Sequence, residues 1–224
     1  MANLVSIDQG TIKAYLHSGF STTITTSLTV WGTDVDWKEG NVIVVNFNTV
    51  KYELRVGFTS TVTSSVTSPG GAKEDMEGVS WDGDNLMLSE VNDTKMYKMS
   101  GFTSTITTSF ASTVARAKAI GWDGSNLLGS DATADTHLEY SGFSSTVSDS
   151  IAAGDTFPQG INSALAGDVY SSCGRENDRI QQRDGFSTTI TSSIASPGSS
   201  PMGTAWDSRF SSSQIAAMAL LGAG

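Results

Sequence analysis

Residues 19–28 read GFSTTITTSL, and the phrase returns as GFTSTVTSSV from Gly57, GFTSTITTSF from Gly101, GFSSTVSDSI from Gly142 and GFSTTITSSI from Gly185. Its apolar residues fall four apart: Phe20, Ile24 and Leu28 in the first copy, Phe58, Val62 and Val66 in the second, and so on through Phe186, Ile190 and Ile194. That spacing suits a helix or one face of a strand. Nearly every intervening residue is Ser or Thr; these compete for backbone hydrogen bonds in a helix, whereas Thr sits well on a pleated surface. The phrase therefore reads as a strand. Phe20, Ile24 and Leu28 are expected to face inward with Thr22 and Thr26, while Ser21, Thr23, Thr25 and Ser27 face solvent.

A second pattern precedes each copy. Trp37, Trp81 and Trp122 stand 21 residues before Phe58, Phe102 and Phe143, and the same rule places Leu165 before Phe186 in a drifted unit. Each unit offers four short strands: one ending at the Trp, one such as NLMLS, one such as KMYKM, and the Gly-Phe phrase. The stretches between them carry the Gly, Asn and Asp of tight turns. Four strands recurring every 41 to 44 residues predict an all-β chain, a β-propeller of four-stranded antiparallel blades. Trp206 starts a fifth unit that ends early, and NLVSIDQGTIKAYLHSGF from Asn3 supplies the missing part, with Leu4 and Phe20 spaced as Leu86 and Phe102 are, 16 apart. Five blades are expected over residues 1–208, the split one combining about 203–207 with 3–28. The alternative, an open array of β-units, would not need complementary fragments at its two ends. Residues 209–224 form a tail in which Ile215, Met218 and Leu221 could line one side of a short helix.

The stretch FPQGINSALAGDVYSSCGRENDRIQQRDG (157–185) resembles the NHL repeat in its Pro-x-Gly-Ile start and its Asn-Asp-Arg-Ile strand. SPMGTAWD (200–207) and WDGSNLLGSDA (122–132) are similar in part. The resemblance implies a propeller and little about function, because such propellers serve as binding platforms, lactonases, lyases and virion parts. The Ser/Thr-rich Gly-Phe repeats are also similar in style to uncharacterised propeller proteins of bacteriophages and environmental viral sequences.

Composition narrows the partners. A formal charge of -10 with scattered Lys and Arg leaves no basic stripe for nucleic acid. Cys173 is the only cysteine, so neither an intrachain disulfide nor a cysteine-based zinc site can form. MANLVSIDQG lacks the features of a signal peptide, and no apolar run reaches the roughly 20 residues of a membrane span, so a soluble, unprocessed chain is expected.

In a repeat protein the irregular residues are the functional candidates. Loops entering each Trp strand share one face of the disc with the turns after each second strand, and a binding site is expected there, around the channel mouth. Asp8, Asn46, Glu90 and Asp131 end the second strands and could ring the channel for a hard cation such as Ca²⁺; the reading favoured is that they cap turns, and no metal or cofactor is assigned. Trp31 lies outside the repeat pattern, either as an exposed aromatic for a glycan or protein surface or as a filler of a short loop. The charged turn GRENDR makes Arg175, Glu176, Asp178 and Arg179 candidate partner contacts, with Ile215, Met218 and Leu221 in the tail. Trp37, Trp81, Trp122 and Trp206 are assigned to packing between blades. His17 and His137, the two neutral-pH bases, are expected to be exposed strand residues without a catalytic role. The favoured reading is a non-catalytic interaction or assembly module, expected as a virion component; a lectin-like propeller is the alternative, and a metal-dependent hydrolase at the channel mouth is the third.

Overall fold

The computed structural model describes residues 3–71, 76–114, 116–154, 156–163, 169–173 and 177–206, with backbone only for 169–173. The described residues form strands and no helix. The order is β1 (Leu4–Asp8), β2 (Lys13–His17), β3 (Ile24–Thr29), β4 (Gly32–Lys38), β5 (Asn41–Asn46), β6 (Lys51–Arg55), β7 (Val62–Thr67), β8 (Met76–Trp81), β9 (Leu86–Glu90) and β10 (Lys95–Met99). There follow β11 (Ile106–Ala111), β12 (Ala117–Trp122), β13 (Leu127–Asp131), β14 (Thr136–Tyr140), β15 (Val147–Ala152), β16 (Pro158–Ser163), β17 (Val169–Cys173), β18 (Arg179–Arg183), β19 (Ile190–Ala195) and β20 (Pro201–Trp206). They pair as antiparallel four-stranded sheets in the orders β4-β5-β6-β7, β8-β9-β10-β11, β12-β13-β14-β15, β16-β17-β18-β19 and β20-β1-β2-β3. The first strands pack side by side, β4 on β8, β8 on β12, β12 on β16, β16 on β20 and β20 on β4. This is a β-propeller, with the first strand of each sheet on the axis and the Gly-Phe strand outermost.

The core lies between sheets. Val5, Ile7, Val35, Trp37 and Val44 fill one interface, and Ile43, Val45, Tyr52, Val79 and Leu88 fill the next. Burial on both faces explains why the second strands are nearly continuous apolar runs, such as the fully buried Leu86, Met87 and Leu88. Trp37, Trp81 and Trp122 join these interfaces as assigned.

The repeated phrase has a defined job at almost every position. Gly19, Gly57, Gly101, Gly142 and Gly185 all take positive φ, between 50° and 64°, which a side chain would oppose. The amides of Gly19, Gly57, Gly101 and Gly142 donate to the side-chain oxygens of Asn3, Asn41, Asn85 and Asn126, each 16 residues upstream, which ties the two turns at one end of a blade together. Ser21, Thr59, Thr103, Ser144 and Ser187 donate to the carbonyl three residues back. Thr25, Thr63, Thr107, Ser148 and Thr191 donate to a third-strand carbonyl nine residues back.

That last bond marks a β-bulge, and the bulge corrects the expected orientation of the phrase. Leu16 pairs with Thr26 but His17 pairs with Ile24, so Thr25 is an extra residue, and the same shift occurs in the other four outer strands. One inserted residue reverses the alternation of faces. Leu28 is buried as expected, whereas Ile24, Val62, Ile106, Val147 and Ile190 are exposed, and so are Thr22 and Thr26.

The histidines are a second correction. His17 and His137 are both fully buried, because the third strand is covered on both faces and His137 occupies the position held by Ala14, Tyr52, Met96 and Ile180 in the other sheets. Leu165, Gly174, Arg175, Glu176 and the whole tail with Ile215, Met218 and Leu221 lie outside the described residues.

At the opposite end of each blade, the turn between second and third strands finishes on a residue with positive φ: Ile12, Val50, Thr94, Asp135 and Asp178. The left-handed conformation costs an ordinary residue roughly 1–2 kcal/mol, offset in part by the entropy a glycine would lose. Thr94 is exposed, so Thr94→Gly should raise the unfolding free energy by about 0.5–1 kcal/mol, while Gly101→Ala should lower it by about 1–2 kcal/mol. Urea denaturation of the two variants checks both signs.

Candidate functional site

The first strands carry the least repetitive residues of the fold. Each has a bulge at the same height: Thr33 and Asp34 oppose Val45, Glu77 and Gly78 face the step between Glu90 and Ser89, Lys118 and Ala119 oppose Ser130, Gln159 is inserted between Pro158 and Gly160, and Met202 and Gly203 oppose Ile7. A bulge turns neighbouring residues toward one side. Thr33, Glu77, Lys118, Gln159 and Met202 thus hold equivalent places around the ring of first strands, at the end where the loops enter them, with Met202 packed in the cluster of Val5, Ile7 and Val35. All five are buried.

Below this ring the axis is closed by close packing and hydrogen bonds. A Cβ on Gly121 would lie 2.7 Å from Asn162 Cα, one on Gly203 would lie 2.6 Å from Asp34 Cα, and one on Gly78 would lie 2.9 Å from the Ile120 nitrogen. Asp36 Oδ2 accepts from Ser80 Oγ (3.0 Å) and the Trp81 amide (2.7 Å). Its Oδ1 accepts from the Trp37 amide (2.8 Å) and from Asn162 Nδ2 (3.1 Å), a residue of the non-adjacent β16. One carboxylate therefore joins three sheets. Asp34, one layer higher, accepts from the Val79 amide at 3.0 Å.

Burial governs the electrostatics. It raises the Asp36 pKa to about 6 even against the four hydrogen bonds, and holds Asp34 well above the carboxylate range although the amides of Val79, Val35 and Ile120 favour its ionised form. Glu77 is raised by burial and pulled back by its ion pair with Lys118. Glu77 Oε2 and Gln159 Oε1 are buried without a hydrogen-bond partner, as is Asp34 Oδ1.

The residues proposed from the sequence as a cation ring sit one strand further out, and all four are buried. Asp8 accepts from the amides of Thr11 and Ser200 at 2.8 Å each, and Glu90 from the Gly70 amide at 2.7 Å and from Ser68 Oγ. Asn46 accepts from the Asn48 amide at 3.1 Å and donates to Glu53, and Asp131 accepts from the Thr133 amide at 2.8 Å. They cap turns and pin the entering loops. Among the described residues no three His, Cys, Asp or Glu side chains gather as metal ligands. Trp31 is 43 % exposed, and its ring meets Phe47 edge-on at 5.6 Å, so it is both solvent-facing and anchored. The Asp178 carbonyl accepts from the Ser196 amide at 2.7 Å, and Arg179 is exposed with Nη1 donating to Ser193 Oγ at 2.9 Å.

The two histidines are held inside the sheets. His17 meets Ser6 Oγ and the Ser21 carbonyl oxygen, each at 2.8 Å. His137 meets Ser130 Oγ at 3.1 Å; burial, reinforced by the charge of Arg183, lowers its pKa to about 3. The axial positions were legible in principle: Asp34, Asp36, Glu77, Lys118 and Gln159 are among the polar interruptions of first strands otherwise rich in small and apolar residues. What hid them was the bulge, which no pattern of period two reveals.

No family model matches the chain, and no curated protein matches it. Solved structures show the same fold at low identity. Glutaminyl cyclase of Myxococcus xanthus aligns with TM-score 0.56 and 10 % identity over 71 % of this chain and 76 % of that one. The WD40 β-propeller domain of Doa1 aligns with TM-score 0.53 and 11 % identity over 89 % and 67 %. A protein of unknown function from Bacteroides caccae aligns with TM-score 0.53 and 14 % identity over 87 % and 73 %. These likenesses establish the propeller fold, and they support neither the NHL family nor a viral relationship.

Two outcomes follow from the buried groups. Asp36→Ala strands four donors on the axis and should cost more than about 3 kcal/mol, read as a fall in denaturation midpoint. The His137 pKa is depressed on folding, so its neutral form contributes stability that is fully present above pH 6.5 and lost as pH falls toward about 3. Asp36 acts oppositely, its contribution being largest below pH 3.8 and lost as pH rises through about 6. Replacing the histidine isolates its share: between pH 7 and 4.5 the wild type should lose about 3 kcal/mol more than His137→Ile, measured by urea unfolding at each pH.

Proposed function

We propose that the chain is a closed five-bladed propeller that acts as a non-catalytic protein-interaction and assembly module. The observation that carries the reading is the rim. Every outer strand exposes one β-branched residue at its start, Ile24, Val62, Ile106, Val147 and Ile190, each between 36 % and 46 % exposed and set among hydroxyl side chains. A lone exposed apolar residue is ordinary, but the same one on each blade spaces contact points around a disc. The pairing of β20 with β1 supports closure, since it completes the sheet that begins the chain. Protein partners are further supported by two of the similar structures, a mitotic checkpoint complex (TM-score 0.52, 12 % identity) and the WD40 domain of Doa1.

The fold by itself leaves chemistry open, because glutaminyl cyclase shares it. The case for a non-catalytic role rests on the histidines, both committed to the interior of the sheets. A place on a virion is the finer form of the proposal and rests on the style of the Gly-Phe repeats; immunodetection in purified particles, against the soluble fraction of the host, tests it.

Replacing Ile24, Val62, Ile106, Val147 and Ile190 with Ser tests the rim. Exposed substitutions should each change stability by no more than about 0.5 kcal/mol. Sedimentation velocity should show the full chain in a larger species at high concentration and the rim variant as a monomer. A monomeric wild type, or an unchanged assembly in the variant, overturns the role of the rim.

A further inference from the structure

The residues that precede the first strands hold equivalent places at the end where the loops enter. The carbonyls of Trp31, Arg116 and Ser200 accept from the amides of Phe47, Ala132 and Gln9, just past the second strand of each sheet, and Phe157 precedes β16 as Arg116 precedes β12. No two of these four residues are alike. Arg116 is exposed, and its guanidinium lies over the Phe157 ring, 5.7 Å from the centroid.

Phe157 carries that ring in a strained conformation. Its φ of 59° lies in the left-handed region, where a bulky residue is an outlier, and Pro158 after it restricts the backbone further. The Asp135 carboxylate holds it there, accepting from the Phe157 amide at 2.7 Å. A glycine would adopt this conformation freely but would bring no ring to Arg116. Strain kept beside an exposed cation points to a use for the pair.

Charge and geometry define that use. Among the described residues the Arg116 guanidinium makes no hydrogen bond or ion pair. Its charge reaches Glu77, but that carboxylate is bound to Lys118. Asp135 is engaged by the Phe157 amide and Asp131 by the Thr133 amide. A guanidinium stacked by its face keeps its edge donors open, and these match the two oxygens of a carboxylate. One open cation in a chain of formal charge -10 suits a singly charged group better than a phosphate dianion.

We infer that the Arg116 guanidinium, held on the Phe157 ring, binds a carboxylate group at the end of the propeller where the loops enter the first strands. Small organic acids and the carboxylates of a protein partner share this chemistry. The site is separate from the rim and does not depend on the assembly role.

The test is NMR titration of the isotope-labelled full chain, following the Arg116 side-chain Nε–H and the backbone amides of Arg116 and Phe157. The probes are sodium acetate, acetylated diglycine with a free carboxylate, the same peptide as its terminal amide, and sodium phosphate. A saturable shift with both carboxylates and none with the amide is expected. Tighter binding of the peptide acid than of acetate identifies a protein carboxylate as the source, and equal or weaker binding identifies a small organic acid. Arg116→Lys, which keeps the charge and loses the planar fork, should weaken binding by about tenfold. Phe157→Gly relieves the backbone, so the fold should persist while binding weakens several-fold, and Phe157→Tyr, which restores a ring, should bind as the wild type does. A response to the amide equal to that of the acid, phosphate binding as tightly as either carboxylate, or no saturable shift overturns the inference and leaves the stack as packing between two loops.

Discussion

The Asp36 carboxylate is the interaction on which the axis depends. Five first strands converging on one line leave no room for five ordinary side chains, and small residues answer this at Gly78, Gly121 and Gly203. Small residues alone would leave backbone donors facing a void. Asp36 fills that need from a single strand, taking the amides of Trp37 and Trp81, the hydroxyl of Ser80 and the side-chain amide of Asn162. The four bonds offset the cost of burying a carboxylate, incompletely, as its pKa of about 6 records. Without such a group the sheets would still pack face to face, but their relative heights would rest on contacts that each join only two sheets, such as Asp34 with the Val79 amide and Lys118 with Glu77.

The rim obeys the opposite constraint. An outer strand has an unpaired edge, which in an untreated sheet invites association. These edges carry neither Pro nor a regular row of Lys. Their protection is the bulge repeated in all five outer strands, which bends each edge and leaves one third-strand carbonyl for the Thr or Ser hydroxyl nine residues on. The hydroxyl-rich phrase is thus not filler. Its hydroxyls satisfy the backbone that the bulge frees, and its glycine supplies the left-handed turn.

Much of this was legible in the residues and some was not. Four strands per unit, the split sheet that joins Pro201–Trp206 to the strands from Leu4 onward, and the packing role of the Trps follow from spacing. Orientation did not follow. Period-two reasoning places Ile24 beside Leu28, and Thr25 intervenes as an extra residue. It also treats a histidine among exposed-looking neighbours as a surface residue, although the third strand is buried on both faces. Asp8, Asn46, Glu90 and Asp131 accept from turn and loop amides, and the axial positions became visible only when five bulges were seen to lie at one height.

The sequence by itself determined the repeating unit, because hydrophobic spacing, turn glycines and β-forming hydroxyl residues act over a few residues and recur with the period of a blade. It also determined that the strand at Pro201–Trp206 complements those from Leu4 onward, since complementary fragments can be recognised by length. Only the tertiary structure decided which residues meet at the axis, which face each bulge presents and which oxygens remain without donors. Those depend on where five strands distant in sequence are brought together, as when Asp36 meets Asn162 across 126 residues, and no local pattern encodes such a meeting.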